Sequence, residues 1–106
     1  MATEMLLTEE EFSRHVNTNF SVAVDESRRV DVKLAEVVGY RAGPDEQQGL
    51  ERFSLFFDGP ADPFLPQGSY PMRHERMGET LIFIVPLGRT PDGGFRYQAV
   101  FNYHRR

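Results

Sequence analysis

The feature that most constrains this chain is a run of six segments in which apolar and polar residues alternate, with only short connections between them. Alternation of period two sends successive side chains to opposite faces of a strand. Parallel neighbours need a crossover of a dozen or more residues, usually a helix, and no connection after the first strand offers one. The expected fold is therefore mainly β: a six-stranded antiparallel meander, closed into a small barrel or a strongly curled sandwich. At 106 residues the chain forms one β-rich domain over its whole length, large enough for a real core.

One helix is expected before the strands, over residues 8 to 16, as a lid on one end of the sheet. Thr8-Glu9-Glu10-Glu11 is a capping-box pattern, in which the Thr8 hydroxyl accepts the Glu11 N–H and the Glu11 carboxylate reaches back. Phe12 and Val16 lie four apart and share a face. The strands then occupy residues 20 to 104. Phe20–Val24 comes first, and Val30–Tyr40 is the longest alternating segment. Its apolar face carries Val30, Val32, Leu34, Val38 and Tyr40 and is interrupted by Glu36, whose charge is spared either by a bulge near it or by a position at the sheet rim. Arg41–Gln48 reads as a surface loop.

The chain is organised around Phe53–Gly78. A strand ends at Gly59-Pro60, and a loop stiffened by Pro63 and Pro66 carries Phe64 and Leu65. A second strand, Ser69–His74, contains Pro71, which has no N–H for a ladder and so marks an edge or a bulge. Thr80–Val85 is apolar on both faces and reads as a central buried strand ended by Pro86. Thr90–Gly94 is a turn, and Phe95–His104 is the last strand, with an Arg105-Arg106 tail.

An ordered series of motifs runs through these elements: FSLFF-x-GP at 53–60, LPQG-x-Y at 65–70, HE-x-x-G at 74–78, IFIVPL at 82–87 and Y-x-AVFN at 97–102. With Phe12–Val16 and Phe20–Val22, it resembles a family of small bacterial domains of unknown function and covers most of the chain. The resemblance implies a compact β-rich domain with no established activity, and hints at an assembly role of the phage-tail-like kind.

Residues that carry chemistry are sparse. There is no cysteine, hence no thiolate nucleophile and no cysteine metal site. His15, His74 and His104 lack the spacing of a zinc motif, so helix-end and strand-end hydrogen bonding is expected of them and no metal or cofactor. Asp58, Asp62 and Glu75 read as turn acids rather than a catalytic pair. No G-x-S-x-G elbow is present. These readings point away from an enzyme. A net charge of −4 without a basic stripe argues against nucleic acid. The longest apolar run, Leu81–Val85, is far too short to span a bilayer, and the first residues do not have the pattern of a secretory signal. A cytoplasmic location is the default, with incorporation into a particle as the other course.

Phe64 and Leu65 are the informative pair. In a loop they either fold back as a plug over the barrel mouth, the reading favoured here, or form a rigid apolar anchor for a partner. Pro71 marks the edge at which a partner strand would add. The expected function is thus a non-enzymatic interaction or structural module, with Phe64, Leu65 and Pro71 as candidate contacts for a protein partner or a second copy. The alternative is a small barrel that binds an apolar ligand.

Overall fold

A computed structural model describes residues 7–40 and 50–104, apart from the side chains of residues 50, 51 and 104. The Arg41–Gln48 loop and the Arg105-Arg106 tail lie outside the described residues. The elements are α1 (Glu9–Ser13), β1 (Asn19–Ala23), β2 (Arg29–Gly39), β3 (Leu50–Gly59), β4 (Gly68–His74), β5 (Gly78–Arg89) and β6 (Phe95–His104). All six strands pair antiparallel and close a barrel in the order β1-β2-β3-β6-β5-β4.

The closed antiparallel barrel is as expected; the single meander is not. Two three-stranded meanders, β1-β2-β3 and β4-β5-β6, are joined along β3–β6 and β1–β4. In that ring β3 and β4 stand opposite one another. The Pro60–Gln67 connection therefore has to cross the whole barrel mouth, which explains why it carries an apolar residue at its middle.

Of the two ways to keep Glu36 out of the core, β2 takes the bulge. Register with β3 shifts between Leu34 and Glu36, so the alternation changes phase. Glu36 is thereby turned to solvent and Val37 packs on the core in place of Val38. Tyr40, assigned by simple alternation to the apolar face, is largely exposed and bonds Ser54 by its hydroxyl, 3.0 Å away. β5 likewise does not end at Pro86. The strand shifts register between Pro86 and Gly88 and continues to Arg89, because a bulge absorbs the missing N–H.

Each end of the barrel is sealed by its own apolar group. At one end lies α1, shorter than expected. Half of its capping box forms: the Glu11 N–H donates to the Thr8 hydroxyl at 3.1 Å, while the Glu11 carboxylate turns to Arg14 at 2.9 Å and to His15 at 3.4 Å. Phe12 is fully buried among the rings of Phe20, Phe53 and Phe101, with centroids 5.7 to 6.3 Å away. The turn after α1 uses a left-handed Asn17, and its backbone pairs with Leu34 of β2. At the other end the turn before β6 is forced by space: a Cβ on Gly94 would collide with the Gly59 carbonyl oxygen.

Candidate interaction surface

The sequence-predicted contacts separate once the barrel closes. Leu65 is buried, and its backbone N–H donates to the Tyr97 hydroxyl at 3.0 Å. It is the plug. Tyr97 lies inside the barrel, and burial raises its phenol pKa against the opposing effect of that hydrogen bond. Phe64, its neighbour, remains 46% exposed and lies edge-on to Phe95 at 4.9 Å, over which the Arg89 guanidinium also sits at 4.9 Å. The two residues thus face opposite ways: one fills the mouth, the other forms an aromatic ledge on its rim.

Pro71 does not mark a sheet edge. β4 lies between β1 and β5 in the closed barrel, and Pro71 stands opposite Leu81. The β1–β4 register spans only Ser21↔Arg73 and Val22↔Met72, so the seam stops just before the residue that cannot donate. Leu65 as an exposed contact and Pro71 as an augmentation edge are both corrected by the same fact, closure of the barrel with its mouth plugged.

A different apolar surface takes their place. On β5, Ile82 and Ile84 point into the core while Leu81 and Phe83 point out, 64% and 50% exposed. Val85, half-buried, continues the outward row, and the bulge residue Leu87 ends it at 50% exposed. Val100 of β6 is also exposed on the outer wall. Four apolar residues at period two form a stripe roughly 20 Å long, given a strand rise of about 3.3 Å per residue. Its ends are polar: Glu79 pairs with Arg73 at 3.6 Å, and Arg96 of β6 makes two bonds to Asp58 of β3, at 2.8 and 3.1 Å. Single exposed apolar residues are ordinary; an aligned row of them between two ion pairs is a candidate interaction surface.

This stripe was missed because an apolar-on-both-faces strand was expected to be buried on both. The signal was present nonetheless. The described elements are six strands and one short helix, and none of them covers the outer face of β5. A strand apolar on both faces then leaves one of them exposed.

The polar candidates are occupied structurally. Asp58 is committed to Arg96 rather than to its own turn. Glu75 lies in the β4–β5 turn, at the barrel end opposite Asp62, so the three acids do not converge. Among the described residues no group of three or more His, Asp or Glu side chains is arranged to hold a metal. His15 and His74 do meet, at the α1 end, with ring centroids 4.5 Å apart. His74 caps its own turn: its Nδ1 accepts the N–H groups of Arg76 at 2.9 Å and Met77 at 3.2 Å. No helix among the described residues is long and apolar enough to cross a membrane.

The family described as "Domain of unknown function (DUF6916)" matches residues 7–101, as the resemblance to a family of unknown function led one to expect. No curated protein and no solved structure matches the chain.

Proposed function

We propose that this chain, which belongs to the DUF6916 family, is a non-enzymatic docking module that binds a protein partner through the outer face of β5. The observation that carries the reading is the exposed stripe Leu81, Phe83, Val85 and Leu87. The partner surface it fits is flat and apolar, as when two sheets pack face to face about 10 Å apart. A row built on one strand of the barrel wall is presented at little entropic cost, which favours use as a structural contact in a larger, phage-tail-like assembly. Phe64 on the mouth rim is a second, smaller contact.

The alternative, an apolar ligand inside the barrel, is disfavoured by how the interior is filled. Phe20, Phe57, Leu55, Ile84 and Tyr97 point inward at 1% exposure or less, and Leu65 closes the mouth. The buried polar side chains at both ends are taken up by structural hydrogen bonds, which supports a non-enzymatic reading.

The test is a charge placed in the stripe. Phe83→Lys and Leu81→Lys are expected to change stability by no more than about 0.5 kcal/mol, since both side chains already face solvent. Each is expected to abolish a complex that the wild type forms in its native host. Affinity capture with wild type and variants in parallel reads the complex, and light scattering of the purified protein reads self-association. A complex kept by both folded variants would sink the proposal; one lost from both would place the contact on β5.

A further inference from the structure

A pair of histidines meets at the junction between α1 and β4. His15 and His74 are both nearly buried, 9% and 5% exposed, and the His74 ring also packs on Phe20 at 4.6 Å. The hydrogen bonds around His74 fix its proton. Because Nδ1 accepts from two backbone N–H groups, it carries no hydrogen, and the neutral ring holds its proton on Nε2. That Nε2–H donates to the Thr18 hydroxyl at 2.9 Å, which itself donates to the His15 carbonyl at 2.5 Å. The chain of bonds runs from the β4–β5 turn through His74 and Thr18 to the last turn of the lid segment. It is satisfied only while His74 is neutral.

We propose that the His74–Thr18–His15 junction is an acid-labile latch, which holds the N-terminal lid on the barrel at neutral pH and releases residues 9–18 when His74 takes up a proton. A proton on Nδ1 would point at two N–H donors and break the turn. It would also set a charged ring against His15. The charged groups around the latch divide. From the lid, Glu11 stands 3.4 Å from His15 and is shared with Arg14, which also holds Glu10. From the β4–β5 turn, Glu75 favours a proton on His74 and Arg76 opposes it; β1 contributes only the Phe20 ring. Desolvation is the largest influence and the His15 charge the next, and together they hold the His74 pKa below its ordinary 6.5. The sign follows. Above that ordinary value both latched and released states are neutral, and the latch holds fully. As pH falls below it, the released state binds the proton first, and the lid loosens until pH reaches the lower latched value.

The test is hydrogen exchange of the full chain at pH 7.5 and pH 5.0, with protection factors corrected for the intrinsic rates. Residues 9–18 of the wild type are expected to lose protection several-fold at pH 5.0, while β3 and β6 hold theirs. His74→Asn keeps an oxygen able to accept the two turn N–H groups but cannot titrate, and its lid is expected to be equally protected at both pH values. The same loss in both proteins would overturn the proposal, as would a wild-type lid unchanged by acid. Should the variant fail to fold, the wild type decides: protection of residues 9–18 that falls over the pH range in which the His74 ring titrates by NMR supports the latch, and protection lost outside that range, or not lost at all, overturns it.

Discussion

Leu65→Asp is expected to unfold the barrel, whereas Phe64→Asp, one residue earlier, is expected to leave it folded. Leu65 is 1% exposed, inside a mouth lined by Tyr97, and its own N–H depends on the Tyr97 hydroxyl. Truncation to alanine alone should cost about 2–5 kcal/mol from lost burial and the void left behind. Among the described residues no Lys or Arg is buried in the interior to pair with a carboxylate there, and the desolvation of an unpaired buried charge costs several kcal/mol more. Since a domain of this kind is stable by only about 5–15 kcal/mol, the aspartate variant should not hold the fold. Phe64 loses its edge contact with Phe95, a looser one with Tyr97 and part of its area, so a cost of about 1 kcal/mol is expected. Chemical denaturation of the two variants and Leu65→Ala beside the wild type checks all three values. Equal effects at 64 and 65 would refute the plug.

Phe12→Ala should be the most damaging change at the opposite end, at about 3–5 kcal/mol. The ring is fully buried and touches three others, one each from β1, β3 and β6, so it joins strands that are not neighbours along the chain. α1 itself is a single short turn, too short to be stable in isolation, and it owes its place to this ring rather than to helix propensity. Loss of the ring should therefore melt the lid as well as lower the denaturation midpoint. Circular dichroism and denaturant titration together would separate that outcome from a simple cavity.

The origin of these two effects was partly legible in the sequence. Phe12, four residues before Val16 and behind a threonine cap, identified a lid with a buried face. The alternation of β1, β3 and β6 identified the core rows, and Glu36 marked either a bulge or a rim position. Strand order was not legible, because alternation fixes which way a side chain points but not which strand stands beside it. Without the order, the Pro60–Gln67 loop could not be seen to cross the mouth, and Leu65 could not be told from Phe64. The β5 stripe was hidden for a related reason: Leu81 and Phe83 look the same in sequence whether a second layer covers them or not. The meeting of His15 with His74 joins residues 59 positions apart, and no spacing motif announces a contact made by a helix end folding over a barrel.

The central claim is that the outward face of β5 is a protein contact, and photo-crosslinking tests it most directly. A benzoylphenylalanine in place of Phe83 keeps an aromatic ring at the exposed position, and the same group in place of Glu26, in the exposed β1–β2 turn, serves as the control. Irradiation in the native host should give a discrete crosslinked protein species from position 83 and none from position 26. No species from position 83, or the same one from both positions, would contradict the account.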